Sequence, residues 1–165
     1  MNQLYLLRHG VAVDHGDPGF ADDDRPLTPE GEKRVKQVAK GLLQLDLKVD
    51  RIFSSPLPRA RKTAEIVAEV LAMSDHLEFT DVLLAGSSAP TIREWIGTRT
   101  ENRIMLVGHN PALSDLISLL IVAGPRSSPF ELRKAGIAAL SGTTSAPMTL
   151  DWLARPRLLR KLGGD

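Results

Sequence analysis

The chain is most constrained by a rhythm in its apolar residues: short continuous runs alternate with longer stretches in which they recur at helical spacing. Leu4-Tyr5-Leu6-Leu7 is the first run, and Arg8-His9-Gly10 stops it, so it reads as a buried strand. Residues 11–26 are rich in Gly, Pro and Asp and read as a loop. Thr28-Pro29 has the form of a helix start, an N-cap threonine followed by proline in the first turn. Val35, Val38, Leu42 and Leu45 continue that helix to near residue 45. Arg51-Ile52-Phe53 is a second strand, broken by Ser54-Ser55-Pro56, and Ala60, Ala64, Val67, Ala68 and Leu71 mark the next helix. Residues 77–84 read as a strand or a strand with a loop, and 91–96 as a short helix. Arg103 to Val107 is a strand ended by Gly108-His109-Asn110-Pro111, with a helix following on Leu113, Leu116, Ile117 and Leu120. Two late strands, 137–140 and 148–153, are joined by a polar turn.

Strands alternating with helices predict an α/β fold with a mainly parallel sheet. The closing pair has no helix between its members, so one of them should run antiparallel. There is no internal repeat, linker or low-complexity tract, and 165 residues suit a single domain over 1–165.

The net charge of +1 excludes a broad nucleic-acid surface but allows a local basic site. The absence of cysteine rules out disulfides, thiolate-bound zinc and thiol catalysis. The N-terminus lacks a basic region followed by a long apolar run, so no signal peptide is expected. The longest apolar stretch, Leu116 to Ala123, is too short and too polar for a bilayer. These features predict a cytoplasmic address with no membrane contact.

Two strands end alike, at Arg8-His9-Gly10 and at Gly108-His109-Asn110. In open α/β sheets, ligands gather beyond the carboxyl ends of the strands. His9 and His109 are therefore candidates for one shared site, and the glycines beside them would let a ligand approach the backbone. The second strand leads through Ser55 to Arg59 at a helix start, where backbone amides attract anions. Ser55 suits either a phosphate donor or a turn, and Arg59 can grip phosphate oxygens with two prongs. Two arginines and two imidazoles suit a phosphoryl group. Guanidinium charge disfavours a protonated imidazole nearby, and a neutral imidazole is a nucleophile. The arginines would then stabilise the oxygens of the phosphoryl group in flight.

At these residues the chain resembles the histidine phosphatase superfamily. Arg8-His9-Gly10 matches its signature; Ser54-Ser55-Pro56-Leu57-Pro58-Arg59-Ala60 and Gly108-His109-Asn110-Pro111 are similar to later blocks, and Leu27-Thr28-Pro29-Glu30-Gly31 to a common segment. The resemblance implies a phosphoglycerate mutase-like fold, three layers α/β/α around a mostly parallel sheet of about six strands with one antiparallel. It implies that His9 becomes phosphorylated while Arg8, Arg59 and His109 hold the phosphoryl oxygens, with Ser55 and Asn110 beside them. It implies no metal and no cofactor, with water hydrolysing the phosphohistidine. The short length and the closing Trp152-Leu153-Ala154-Arg155-Pro156 resemble the SixA-like, phosphohistidine-phosphatase branch. That branch implies a phosphohistidine-bearing protein as substrate, such as a phosphotransfer domain, and a role in signal transduction.

One departure bears on substrate. Larger superfamily members carry an acid after the third strand that protonates the leaving oxygen. Here residues 78–90 offer only Glu78 and Asp81, and neither aligns. An alcohol leaving group needs that proton, whereas imidazole, a base of pKa about 6.5, leaves readily. The other readings are a phosphatase for small phosphate esters, a mutase, a non-catalytic module that binds phosphorylated ligands, and a metal-dependent hydrolase. The acidic loop with Asp14, His15, Asp17, Asp22, Asp23 and Asp24 lacks tight metal-ligand spacing and is read as bordering the substrate entrance.

Overall fold

The computed structural model describes residues 2–122 and 129–164, so Ala123, the end of the longest apolar stretch, lies outside them. Six strands form one sheet: β1 (Gln3–Arg8), β2 (Arg51–Ser54), β3 (Leu77–Phe79), β4 (Arg103–Gly108), β5 (Ile137–Ser141) and β6 (Thr149–Ala154). Their order is β3-β2-β4-β1-β5-β6. β1 to β4 pair in parallel, and β5 runs against both of its neighbours. The predicted single antiparallel strand is thus β5.

Among the described residues five helices cover the sheet: α1 (Pro29–Gln44), α2 (Pro58–Val70), α3 (Ala89–Gly97), α4 (Ala112–Val122) and α5 (Pro156–Leu162). α1 starts as expected, with the Thr28 hydroxyl accepting from the Gly31 amide at 2.9 Å. The residues read as 77–84 divide into the short β3 and a 3-10 turn at Asp81–Leu83. α5 has no counterpart in the sequence reading. It is too short for a stripe to show, and it exists because Leu159 is buried against α1. Gly41 makes that contact possible, since a Cβ there would collide with the Leu159 carbonyl.

The alternation of side chains along β1 explains the layers. Tyr5 and Leu7 join Val35, Val38, Leu42, Val67 and Leu159 in the core beneath α1, α2 and α5. Leu4 and Leu6 join Ile92, Ile96, Leu113, Leu116 and Leu120 beneath α3 and α4. A strand buried on both faces must be apolar throughout, as Leu4 to Leu7 is. Truncating Leu6 to alanine would cost about 2–5 kcal/mol. This sandwich fixes the ends of β2, β4 and β1 side by side, where the chemistry-bearing residues emerge. No described helix is long and apolar enough to cross a membrane.

Candidate active site

β1 and β4 are neighbours with Arg8 opposite Gly108, so His9 and His109 leave the sheet at the same level. Their rings lie with centroids 5.1 Å apart, tilted by 53°. β2 is the other neighbour of β4, and Ser55 follows it directly. The Ser55 hydroxyl hydrogen-bonds His109 Nε2 at 2.9 Å. Arg59, second residue of α2, is only 2 % exposed, and it shares with Arg8, His9, His109 and Asn110 the wall of one polar cavity of about 410 Å³. The structure thus gathers the predicted residues from three strand ends and one helix start. Ser55 meets the cavity through His109 and is not itself part of its wall.

The ring of His9 is oriented by its own backbone. Nδ1 lies 2.7 Å from the Gly10 carbonyl, which can only accept, so Nδ1 carries the hydrogen and Nε2 keeps its lone pair. The Gly10 amide donates to Thr63 Oγ1 at 3.0 Å, and that hydroxyl donates to the Arg59 carbonyl at 2.7 Å. Thr63 therefore ties the His9 turn to the first turn of α2. At Gly10 the close approach is to the protein itself: a Cβ would collide with Val35 of α1. The expected role of this glycine in admitting a ligand gives way to a packing role.

Both imidazoles are held neutral. His9 is pushed down to about 3, first by burial and then by His109, Arg59 and Arg8, against the opposing pull of the Gly10 carbonyl. His109 is pushed down to about 4, first by burial and then by Arg59, Arg8 and Arg25. Desolvation, which the sequence reading did not weigh, leads the guanidinium effect in both. Burial also lowers Arg8 and Arg59 from the ordinary arginine value.

The arginines are fixed by carbonyl oxygens. Arg8 donates to Leu132 O at 2.9 Å, and the Asn110 amide donates to the same oxygen at 3.0 Å. Arg59 donates to Asp22 O at 2.9 Å, which pins the 11–26 loop over α2. The loop is closed at its base by a bridge between Ala12 and Leu27, and Arg25 crosses it to reach Val13 O at 2.7 Å. Asp14, His15, Asp22 and Arg25 consequently line the cavity, as the reading of an entrance loop expected. Two cationic wall residues, Arg25 and Lys134, were missed. Arg25 sits at the end of an acidic loop and Lys134 in an irregular segment before β5, so no periodicity marks either.

The two acids considered for proton donation stand elsewhere. Glu78 lies on β3 in an ion pair with Arg51 at 2.8 Å, and Asp81 opens the following 3-10 turn; neither lines the cavity. Asp22 is held below the usual carboxylate range by its hydrogen bond from Arg25, so it stands as an anion. Among the described residues no group of three or more His, Asp or Glu side chains is placed to hold a metal ion.

The profile of the histidine phosphatase superfamily (branch 1) matches residues 4–81, a span that contains Arg8, His9, Ser55 and Arg59. The chain belongs to the histidine phosphatase superfamily. An uncharacterized protein of Picosynechococcus sp. is 39% identical over 142 residues, 84% of each chain. The phosphohistidine phosphatase SixA of Escherichia coli K12 is 24% identical over 158 residues, 93% of this chain and 94% of that one. A solved SixA structure, complexed with tungstate, superposes with a TM-score of 0.83 over 95% of this chain and 99% of that one, at 24% identity. The putative phosphohistidine phosphatase SixA of Agrobacterium tumefaciens gives 0.79 at 25% identity, over 94% and 98% of the two chains. The six-stranded mixed sheet is the fold of these superfamily members.

Proposed function

We propose that this protein is a metal-independent phosphatase that carries the phosphoryl group on His9 Nε2 and acts on phosphohistidine in a protein. The observation that carries the reading is the pair of buried, neutral imidazoles between two guanidinium groups at adjacent strand ends. The His9 tautomer supports it, because a hydrogen fixed on Nδ1 leaves Nε2 free to attack. Nε2 forms a bond to phosphorus as the bond to the leaving nitrogen breaks, and the electron pair departs with the substrate imidazole. Arg8 and Arg59 meet the charge on the phosphoryl oxygens, the role a metal ion would otherwise fill. In the tautomer whose Nε2 accepts from the Ser55 hydroxyl, His109 carries its ring hydrogen on Nδ1 and can donate it to a phosphoryl oxygen. Water then attacks phosphorus, the P–Nε2 bond breaks, and phosphate and a proton are released with neutral His9 restored.

The choice of phosphohistidine over phosphate esters rests on the remoteness of Glu78 and Asp81 and on the pairing of Asp22 with Arg25, which leaves Asp14 as the one other carboxyl among the described residues of the cavity wall. A phosphohistidine protonated on its other ring nitrogen already carries the proton it needs and leaves as neutral imidazole, whereas an alkoxide must be given one as it departs. The similarity to SixA proteins supports the same substrate class and, with it, a place in cytoplasmic signalling by histidine phosphorylation.

The test is chemical. A phosphodonor should leave an acid-labile phosphate on His9, with full turnover after exhaustive chelation, and His9→Ala should take up none. A phosphate retained in His9→Ala, or activity lost to chelation and restored by a metal, would refute the proposal. Turnover of sugar phosphates as fast as that of a phosphohistidine protein would reassign the substrate to small esters.

A further inference from the structure

A second basic cleft opens beside the active-site cavity. It holds about 110 Å³, and its charged walls are Arg34 of α1, Lys134, and Arg157 and Arg160 of α5. Lys134 lines both the cleft and the active-site cavity, and Val11, two residues past His9, lies on the cleft wall. The two spaces therefore meet at Lys134. Arg34 is engaged by Glu30 at 2.8 Å, and among the described residues no carboxylate lines the cleft. Lys134, Arg157 and Arg160 form no ion pair among the described residues, although Glu30 lies within electrostatic range of Arg160.

Arg157 and Arg160 are three residues apart on one helix and so share a face, an arrangement that like charges disfavour. The buried Leu159 anchors that helix on α1, which holds both guanidiniums at the cleft. Three of the four clustered cations, Lys134, Arg157 and Arg160, have no ion-pair partner among the described residues, and together they form an anion site. Its volume decides the class of anion. Pockets for whole small molecules run to about 300–1,000 Å³, so this cleft takes a side chain or a single headgroup. Its cations stand on an accessible rim: Arg34 and Arg157 are exposed, and Arg160 and Lys134 are half-buried. A rim of this kind suits the surface of a protein.

We infer that this cleft docks aspartate or glutamate side chains of the phosphoprotein substrate, close to the phosphohistidine held in the active-site cavity. The inference deepens the proposed function and rests on it. Such contacts act on encounter and register more than on the chemical step, so they appear in KM and in salt dependence.

The test uses peptides phosphorylated at a single histidine, flanked either by glutamates or by glutamines, and the double variant R157E/R160E. Neither arginine touches the active-site cavity, so turnover of p-nitrophenyl phosphate by the variant should match the wild type and certify its fold. At low salt the wild type should favour the glutamate peptide by about tenfold in kcat/KM, through KM, and lose that preference near about 0.5 M salt. In R157E/R160E the preference should vanish or invert. A preference retained in the variant overturns the docking site while leaving the phosphatase reading intact. Equal loss on p-nitrophenyl phosphate also overturns it, because the arginines would then serve the catalytic cavity. A wild type that turns over p-nitrophenyl phosphate but neither peptide refutes the phosphohistidine reading, and the docking site falls with it.

Discussion

The neutrality of the two buried imidazoles makes a quantitative prediction about acid stability. His9 and His109 titrate at about 3 and about 4 in the folded protein, against 6.5 for an ordinary histidine. Between those values the unfolded chain binds protons that the folded chain refuses, so stability falls as the pH falls through this window. At about pH 4.5, two units below the unfolded value, the two histidines together have cost about 5 kcal/mol, shared almost equally. That is a large share of the roughly 5–15 kcal/mol that holds a typical domain together. Urea unfolding of the wild type and of His9→Gln/His109→Gln, from about pH 7.5 to about pH 4.5, isolates the effect. Carboxylates such as Asp50, held low by its hydrogen bond from Arg103, titrate in both proteins and cancel. The wild type should lose about 5 kcal/mol more than the variant across the range. A constant difference between the two would mean that both rings accept protons in the folded state at ordinary pH. Burial would then not be keeping them neutral, and the case for His9 as a ready nucleophile would fail.

Arg59→Ala should lower kcat by about 10²–10³, as removal of one preorganised donor to a transition-state oxyanion does. It should also release the 11–26 loop, seen as faster proteolysis there, because Arg59 holds the Asp22 carbonyl. Gly41→Ala gains about 1 kcal/mol of helix propensity but drives a methyl group into the Leu159 carbonyl, so a net loss of about 1–3 kcal/mol is expected. Calorimetry should show this as a fall in Tm of about 2–12 °C, and an unchanged or raised Tm would refute the packing argument. Across a series of aryl phosphates, kcat/KM should fall steeply as the leaving-group pKa rises, and Glu78→Gln and Asp81→Asn should leave the slope unchanged. A flat series would reveal a proton donor in the cavity.

The reach of the sequence is clearest at the strand ends. Leu4 to Leu7 and Arg103 to Val107 are apolar at every position except Arg103, and only a strand buried on both faces asks for that, so the ends at His9 and His109 were legible. The family blocks carried Arg8, Ser55 and Arg59 with them. What was not legible depends on contacts distant in sequence. Thr63 looks like any helix residue until the Gly10 amide arrives from 53 positions away. The Leu132 carbonyl, which fixes both Arg8 and Asn110, belongs to an irregular segment with no pattern to read. Arg25 and Lys134 are charged residues in loops, where a solvated side chain and a cavity wall look the same. Local rules see the elements, and tertiary contacts choose which loop residues face the cavity.

The way the arginines are held explains why this site suits an oxyanion. Neither Arg8 nor Arg59 forms an ion pair among the described residues; both are fixed by backbone carbonyls. A carboxylate in those places would neutralise the guanidinium and compete with the phosphoryl group, whereas a carbonyl dipole fixes the geometry and leaves the charge available. The buried atoms without partners tell the same story. Arg8 Nε, Arg59 Nε, His109 Nδ1 and Asn110 Oδ1 are four of the five such side-chain atoms among the described residues. Each unsatisfied group costs about 1–3 kcal/mol in the folded state. Arg8 Nε and Arg59 Nε are donors, and His109 Nδ1 is a third in the tautomer whose Nε2 accepts from Ser55. The fold therefore concentrates unmet donor capacity at the ends of β1, β4 and β2, where an oxyanion with several acceptor oxygens would satisfy it. Interactions that strengthen as charge builds on those oxygens lower the barrier instead of merely tightening binding, which is what the proposed phosphoryl transfer to His9 requires.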